Sequence, residues 1–470
     1  MSISHRTGAL LEVVGAGLQV PLATGEVVRQ VNLDHAASTQ PLRSVVAALE
    51  EVLPWYSSVH RGSGWASQVS TMAYEAARES VLRFAGARED DVAVFVRNAT
   101  DGINLLAHAL CLEAGDAILT TDVEHHANLL PWRRAGRVVS LAPPKSPAAL
   151  LEAVDDALRR DPGIRVVAMT GASNVSGEVF PIAALAGVVH RHAAVLFIDA
   201  AQLLPHRPVD IAGSDVDMVA FSGHKMYAPF GAGAVISRPE LLRAPEPMLV
   251  GGGAVTLVTP TTVIYKEAPE GLEAGTPNLV GALMMAAAMD ALRGVGMDRV
   301  AAHESALLDR LLTATAGIPG LVRYRLWDDP ADRVAVFPFN LEGMHHSLVA
   351  AALSAEHGIA VRNGCFCAQP YLAHLLGIPA AELEARAAAG GTTRQMAGAV
   401  RASIGVDTSE DDVDRFAAAL RSLAAAGPRL EYRHDPLTGD VNPVGDLRTA
   451  PRFGWLPELT ARGGPGCESI

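Results

Sequence analysis

Three short polar motifs each follow an apolar, β-rich run and contain a side chain that can take part in chemistry. They are EHHAN at 124–128, FIDAAQ at 197–202 and SGHK at 222–225. Each alone has an ordinary structural explanation, because a Gly-His-Lys turn is usually a loop, a strand-ending aspartate usually caps a helix, and paired histidines usually lie at the surface or at a cap. Zinc is a weaker alternative, since the histidines lack two further ligands at the usual spacing.

The order of the three motifs and the elements that carry them indicate that the motifs serve one function. From about residue 90 to 240, β-rich runs alternate with amphipathic stretches, which indicates a mostly parallel sheet covered by helices on both faces. Ligands bind beyond the carboxyl ends of such strands, where Lys225, Asp199 and His125 are expected. A Schiff-base lysine, an upstream aspartate against a pyridinium nitrogen and an aromatic lid are what pyridoxal 5′-phosphate (PLP) requires, and a histidine can stack on the ring.

The predicted elements divide the chain into four parts. Strands are predicted at 91–96, 117–121, 165–170, 193–199 and 217–222, and helices at 102–112, 183–192, 280–294 and 300–316, with a hairpin at 254–265. A smaller α/β unit follows, with strands at 334–340 and 358–362 and a last helix at 409–425, whose start Asp411 and Asp412 favour. We therefore expect an arm over 1–30, a large domain over 31–317, a small domain over 318–426 and an extended tail over 427–470.

Composition excludes several classes of protein. The chain has 470 residues, of which 49% are apolar and 19% charged, as in globular proteins of more than one lobe. A net charge of −13 argues against a nucleic-acid partner. The mean hydropathy of +0.21 comes largely from alanine, and neither a membrane span nor a signal peptide is expected. Four cysteines cannot form a disulfide framework, so a cytoplasmic protein with reduced thiols is expected.

The motifs, taken in order, resemble those of the class V aminotransferases of the PLP fold-type I group, and most closely the cysteine desulfurase/selenocysteine lyase branch. The resemblance runs from about residue 32 to 423. Its markers are LDHAAS at 33–38, VHRG at 59–62, ATDGIN at 99–104, EHHAN, SNV at 173–175, DAAQ at 199–202, SGHK and EAGTPN at 273–278. It implies a large domain with a mostly parallel, seven-stranded sheet covered by helices, and a smaller C-terminal α/β domain.

The resemblance also implies roles for the matching positions. Lys225 would carry the Schiff base and move the proton at the substrate Cα, Asp199 would pair with the pyridinium nitrogen, and His125 would stack on the ring. The other implied cofactor-binding residues are Thr100, Asp101, Asn174, Gln202, Ser222 and His224, with Thr276 reaching the phosphate of a neighbouring subunit. The resemblance therefore also implies a homodimer with shared active sites. The implied substrate-binding residues are Arg401, which would clamp the carboxylate, and Asn174, His60 and Arg362.

The cysteines bear on which reaction is expected. In the run RNGCFCAQP at 362–370, the CAQP part matches the loop of group II cysteine desulfurases and places the nucleophile at Cys367. Its thiolate would attack the sulfur of the cysteine–PLP adduct, leaving alanine and a persulfide, and a cationic site would lower the pKa of the thiol. Cys365 would receive sulfur, form a redox pair or line the loop. Cys111, in a helical pattern, is expected to be a buried packing residue, and Cys467 to be incidental.

Three departures from the family pattern accompany this match. The GCFC run, where group II loops usually have two histidines, resembles the desulfurase-like domain of molybdenum cofactor sulfurases. An Ala/Gly-rich insertion at 380–397 is expected to act as a lid or partner surface, and the tail lies outside the pattern.

The expected function is removal of sulfur or selenium from cysteine-like substrates and its transfer as persulfide to an acceptor protein. One alternative is another class V activity, such as transamination, epimerisation or C–S lysis, which would not need Cys367. The other is a non-catalytic scaffold in a sulfur relay, against which the intact Lys225, Asp199 and His125 argue.

Overall fold

Two sheets and the helices around them make up most of the molecule. The structure, a computed structural model, describes residues 8–328, 332–388, 398–435 and 440–455. The α-helices of this described part are α1 (Arg43–Val52), α2 (Trp65–Phe84), α3 (Ala99–Ala109), α4 (Leu130–Ala135), α5 (Pro147–Arg160), α6 (Ile182–His190), α7 (Leu279–Val295), α8 (Met297–Thr315), α9 (His346–His357), α10 (Gln369–Leu375), α11 (Ala380–Ala388) and α12 (Glu410–Ala426).

The strands are short, and each belongs to a sheet, a hairpin or a strand pair. In chain order they are β1 (Gln19–Pro21), β2 (Val27–Arg29), β3 (Val31–Asn32), β4 (Val92–Val96), β5 (Ala117–Thr121), β6 (Arg137–Leu141), β7 (Ile164–Thr170), β8 (Val195–Asp199), β9 (Met218–Ser222), β10 (Gly233–Ser237), β11 (Val255–Val258), β12 (Val263–Tyr265), β13 (Leu321–Arg323), β14 (Val336–Leu341), β15 (Ile359–Ala360), β16 (Arg362–Gly364), β17 (Ala399–Ser403), β18 (Tyr432–His434) and β19 (Val441–Pro443).

The larger sheet has seven strands in the order β4-β10-β9-β8-β7-β5-β6. Strands β5 to β9 pair in parallel, and β10 is antiparallel to both of its neighbours. Strand β9 is buried along its whole length, and β7 is buried except at Arg165, because helices cover both faces. The prediction of a mostly parallel, seven-stranded sheet is therefore confirmed. Strands β6 and β10 were not located in the sequence, since one is a half-exposed edge strand and the other follows a glycine-rich turn.

The smaller sheet is antiparallel and has the order β13-β14-β17-β16. Helices α8, α9 and α12 contribute to the same hydrophobic cluster, whose aromatic centre is Phe337, Phe339 and Phe416. Helix α12 begins at a capping box formed by Ser409 and Asp412, as the acidic start of this segment indicated. The predicted boundaries of the arm, the two domains and the tail stay predictions.

Helix α3 corrects two expectations. It begins at Ala99 rather than at residue 102, because the Asn98 side chain caps it by accepting a hydrogen bond from the Asp101 backbone N–H. It also ends at Ala109, so Cys111 lies beyond the helix with a positive φ of 46° and is exposed. The expectation that Cys111 is a buried packing residue was therefore wrong.

Three further sequence expectations concern a hairpin, the Ala/Gly-rich insertion and membrane-spanning segments. The hairpin expected at 254–265 is present as β11 and β12. Of the insertion at 380–397, helix α11 is described, whereas 389–397 and Cys467 lie outside the described residues. Within the described ranges, no single helix is long and apolar enough to cross a membrane, and only α7 with α8, bent by 78°, passes such a test as a joined pair.

The described part of the tail is attached to the small sheet's helix α9 by one buried carboxylate. Glu356 accepts hydrogen bonds from the backbone N–H groups of Arg429 and Leu430, at 3.0 and 3.2 Å, and from the Tyr432 hydroxyl at 3.0 Å. Hydrogen bonds to a charged acceptor are stronger than those to a neutral one. The tail is thereby held where β18 begins.

Replacing Glu356 by alanine should loosen the tail, because it leaves three donors without their acceptor. We expect a loss of about 2 kcal/mol in the free energy of unfolding, together with faster proteolysis within the tail, measured by thermal melting and limited trypsin digestion. Tyr432→Phe is the matched control, since it removes only the hydroxyl donor and should cost about 1 kcal/mol or less. Equal stability of Glu356→Ala and the wild type would contradict the anchoring role.

Candidate active site

Several of the predicted site residues lie at the carboxyl edge of the larger sheet. Asp199 is the last residue of β8, Ser222 is the last residue of β9, and Lys225 ends the 3₁₀ turn that follows. Strands β8 and β9 are parallel neighbours, with Asp199 opposite Ala220. Parallel pairing therefore brings Asp199 and Lys225, which are 26 positions apart in sequence, to the same edge.

Lys225 and Asp199 influence each other's ionisation. Burial lowers the pKa of the Lys225 amine to about 8, and the Asp199 carboxylate partly opposes this effect. Burial also raises the pKa of Asp199, while Lys225 and a hydrogen bond of 3.0 Å from the Ala201 backbone N–H favour its charged form. The pair thus combines an amine that deprotonates readily with a carboxylate held at the strand end.

His125 lies in the loop after β5 and is oriented by its own turn. Its Nδ1 atom accepts a hydrogen bond of 3.0 Å from the Ala127 backbone N–H, which leaves the proton of the neutral ring on Nε2. Burial, together with Lys225 and other nearby cations, lowers the pKa of His125 to about 3. The imidazole is therefore neutral at physiological pH, as a ring that stacks on an aromatic ligand can be.

Glu124 forms a buried network directly behind His125, which the sequence reasoning did not assign. Its carboxyl group accepts hydrogen bonds from the Thr121 hydroxyl at 2.8 Å and from the Asn128 amide at 2.7 Å. Asn128 in turn accepts a hydrogen bond of 2.7 Å from the Trp132 indole. Burial raises the pKa of Glu124 to about 8. A carboxylate three positions beyond the end of a fully buried strand was the available signal.

The start of helix α3 lies against the end of β9. The Ser222 hydroxyl accepts a hydrogen bond of 2.8 Å from the Ala99 backbone N–H, which fixes the helix start at the sheet edge. Gly233 permits this approach, because a Cβ atom there would lie 2.9 Å from the Asn98 Cα. Thr100 is exposed at the first turn, where a helix favours anions.

The expected cofactor-binding role of Asp101 meets competing contacts at this helix start. The Asp101 carboxylate is bonded to the Arg97 side chain at 2.7 Å, and the backbone N–H groups of Asp101 and Gly102 both donate to Asn98. The cofactor-binding roles of Thr100, Asp101 and Ser222 stay predictions. His224, which was assigned to the same role, has a pKa lowered to about 4 by burial and by Lys225.

Gln202 and Asn174 present polar groups toward the same edge. The Gln202 amide nitrogen donates to the Ala36 carbonyl at 2.6 Å, while its Oε1 atom is buried without a hydrogen-bond partner in the structure. An orphaned buried oxygen is costly unless a ligand supplies a donor. The Asn174 amide donates to the Phe366 carbonyl at 2.8 Å, so it ties the cysteine loop to the sheet edge.

Arg401, on β17 of the smaller sheet, reaches the site from the other side. One of its terminal nitrogens donates to the Asn174 carbonyl at 2.8 Å, and its guanidinium lies 5.0 Å from the centre of the Phe366 ring. Asp34 lies 3.5 Å from Arg401 and 3.4 Å from Arg362, whose Cα pairs with that of Arg401 across the strands. Two arginines and one carboxylate therefore border the site.

The cysteine loop is a tight turn from Cys365 to Ala368. The Ala368 backbone N–H donates to the Cys365 carbonyl at 3.0 Å, and Phe366 and Cys367 have positive φ angles of 55° and 52°. Cys367 is half-buried, and a negative charge on its thiol would raise the pKa of both Lys225 and Arg401. The structure therefore brings the predicted nucleophile, the predicted Schiff-base lysine and the predicted carboxylate clamp together.

Two predicted site residues have contacts elsewhere. The His60 ring is bonded to the Glu75 carboxylate at 2.8 Å. Thr276 is exposed and lines a cavity of about 260 Å³ together with Asp101 and Tyr74. Lys225 and Arg401 do not line that cavity. In the described part of the chain, no cluster of three or more His, Cys, Asp or Glu side chains suited to a metal is found.

The fold and the site define a known class of enzyme. The sequence matches the model of the aminotransferase class-V family over residues 31–416, and the chain belongs to that family. A cysteine desulfurase of Klebsiella pneumoniae (strain 342) is 35% identical over 400 residues, which cover 83% of this chain and 92% of the relative. A cysteine desulfurase of Pectobacterium atrosepticum is 34% identical over 417 residues, covering 86% and 96%.

Solved structures have the same fold. The cysteine desulfurase CsdA of Escherichia coli superposes with a TM-score of 0.73 at 32% identity, covering 84% of this chain and 94% of the other. The apo cysteine desulfurase of Thermococcus onnurineus NA1 gives 0.74 at 30% identity, covering 84% and 95%. The chain is therefore an enzyme of the class-V family, similar to cysteine desulfurases over most of its length.

The pKa of Lys225 predicts how the apoprotein takes up PLP. Only the neutral amine can condense with an aldehyde, so the association rate should rise with pH up to about pH 8, rather than near the ordinary lysine pKa above 10. Stopped-flow absorbance across this range measures the midpoint. In Asp199→Asn, the charge that raises the lysine pKa is gone, and the midpoint should move to lower pH. An unchanged midpoint would contradict the coupling.

Proposed function

We propose that this enzyme is a PLP-dependent cysteine desulfurase, which converts L-cysteine to L-alanine and forms a persulfide on Cys367. The overall reaction balances as L-cysteine plus the enzyme thiol giving L-alanine plus the enzyme persulfide. One observation carries the proposal: Arg401 donates to the Asn174 carbonyl and lies 5.0 Å from the ring of Phe366, and Asn174 donates to the Phe366 carbonyl, so the guanidinium contacts the turn that carries Cys367. A negative charge on that thiol would also raise the pKa of Lys225 and of Arg401. The similarity to cysteine desulfurases supports it.

The residues present at the sheet edge fit PLP. Lys225 would hold the aldehyde carbon, Asp199 would accept a hydrogen bond from the pyridinium nitrogen, and the neutral His125 ring would cover one face. The orphaned Oε1 atom of Gln202 adds a buried acceptor at the same edge. Thr100, with Ser222 and His224, would hold the phosphate near the start of α3. When bound, PLP supplies an electron-accepting ring conjugated to the substrate Cα.

Residues of the chain would move the proton at the substrate Cα and bind the substrate carboxylate. Lys225, with its lowered pKa, would take and return the proton at the substrate Cα, since a base is most effective when its pKa is near the operating pH. Arg401 would hold the substrate carboxylate, for which its Nε atom, buried without a hydrogen-bond partner, is an available donor. The exposed Arg362 would add positive charge at the same side.

Cys367 would attack the substrate sulfur and keep it as the outer atom of a persulfide. Lys225 and Arg401 supply two positive groups near its thiol, and positive charge favours the thiolate, which is the nucleophile. The Cβ–S bond of the substrate breaks in this step, and the carbon part leaves as alanine after protonation. Selenocysteine would react in the same way.

The partners proposed are a cysteine-like amino acid, a sulfur-acceptor protein and a second copy of the chain. The exposed position of Thr276 supports a homodimer in which this residue reaches the phosphate of the neighbouring site. The cytoplasm is the proposed compartment, because thiols there remain reduced and can carry a persulfide.

Two cysteine variants test the reaction. The wild-type holoenzyme, given L-cysteine and a thiol reductant, should release alanine and sulfide, whereas Cys367→Ala should lose both by at least about a hundredfold, as expected for loss of a nucleophile. Cys365→Ala is the matched control, because it removes a thiol from the same loop; Cys365 is partly buried against the core, and the small change in volume should leave more than about half of the rate. Alanine formation that does not depend on Cys367 would refute the persulfide and favour another class V reaction.

A further inference from the structure

The turn that carries Cys367 is strained and needs support from outside. Phe366 and Cys367 both have left-handed backbone conformations, which cost residues other than glycine about 1 kcal/mol or more each. The helix that follows, α10, begins without a side-chain cap because its N-cap residue is Ala368. Its first N–H groups therefore need an acceptor from another part of the chain.

His126 supplies two of the contacts that hold this segment. Its backbone N–H donates to the Cys367 carbonyl at 2.6 Å, and its Nε2 atom accepts a hydrogen bond of 3.1 Å from the Gln369 backbone N–H. One residue thus binds the main chain at the nucleophile and, two residues later, at the start of α10. The second contact is the cap that Ala368 cannot provide.

The turn and helix α10, which follows it, are also held by contacts from another direction. The Asn174 amide donates to the Phe366 carbonyl, and the Tyr371 and Ser176 hydroxyls are bonded at 2.6 Å. These contacts tie the turn to the loop after β7, whereas His126 ties it to the loop after β5. His126 is adjacent to His125, whose ring is expected to cover the cofactor. One segment therefore positions both that ring and the Cys367 thiol, which is expected to attack the substrate.

We propose that His126 is a positioning residue for Cys367, which holds the strained turn at 365–368 so that the thiol stays beside Lys225 and Arg401. The proposal rests on the proposed role of Cys367 as the nucleophile. An Nε2 atom that accepts a hydrogen bond belongs to a neutral imidazole with its proton on Nδ1. Burial and Arg133 lower the pKa of His126, which favours that neutral form.

Two substitutions separate the side-chain contact from the backbone contact. His126→Phe keeps the size of the ring and the backbone N–H but has no acceptor for Gln369. His126→Gln is the matched control, because its Oε1 atom is the same number of bonds from Cα as Nε2 and can accept the same hydrogen bond. Both variants are made in the full-length holoenzyme, and cofactor loading is checked by absorbance.

Two substrates separate sulfur chemistry from cofactor chemistry. With L-cysteine, His126→Phe should form alanine about tenfold to a hundredfold more slowly, through a lower kcat. This is the range expected when a reacting group is displaced. His126→Gln should recover most of the rate. With β-chloro-L-alanine, which loses chloride without a thiol and gives pyruvate and ammonia, both variants should stay within about twofold of the wild type, as expected when the reacting groups remain in place. An equal loss with both substrates, or no loss with cysteine, would overturn the proposal.

Alkylation of Cys367 distinguishes failure of this proposal from failure of the proposed function. If the wild type forms no alanine from L-cysteine, the proposed function is wrong, and the rate of Cys367 modification by iodoacetamide, followed by peptide mass spectrometry, then decides the role of His126. A rate that changes in His126→Phe and returns in His126→Gln supports the positioning role. The same rate in all three proteins refutes it.

Discussion

A buried carboxylate and a half-buried amine at the ends of neighbouring parallel strands are the constraint around which this molecule is arranged. The positive charge of Lys225 stabilises the ionised form of Asp199. The negative charge of Asp199 in turn limits the fall of the Lys225 pKa that burial causes. Neither group would be favourable alone in a site closed by helices. Strands β8 and β9 must therefore remain in register, and the seven-stranded sheet supplies the rigidity that this register requires.

The second sheet completes the site from the opposite side. Arg401 is one of the most buried cations in the described chain, and burial lowers its pKa to about 10. Its partners, which are the Asn174 carbonyl, Asp34 and the Phe366 ring, come from three separate segments. Because Phe366 adjoins Cys367, the stacking of guanidinium on ring couples the proposed carboxylate clamp to the turn that carries the thiol.

The loop after β5 joins these parts. Glu124 and Asn128 fix its base through a buried hydrogen-bond network, His125 faces Lys225, and His126 binds the cysteine turn. Backbone strain at Phe366 and Cys367 is tolerated only where the surrounding residues hold the turn from several sides. Five consecutive residues thus connect the base of the sheet edge, the proposed cofactor site and the proposed nucleophile.

The sequence by itself determined the class of fold, the mostly parallel sheet and the family, because buried strands are apolar runs of typical length and because Lys225, Asp199 and His125 each follow such a run. It also singled out Cys367 and Arg401, through motifs shared with the family, as site residues whose roles stay predictions. Only the tertiary structure decided what surrounds them. The hydrogen bond of His60 with Glu75, the exposure of Cys111 and the contacts of His126 with the cysteine turn depend on residues many positions apart or on where a helix ends by a few residues. Spacing along the chain carries little information about such contacts, since they are fixed by the packing of whole elements.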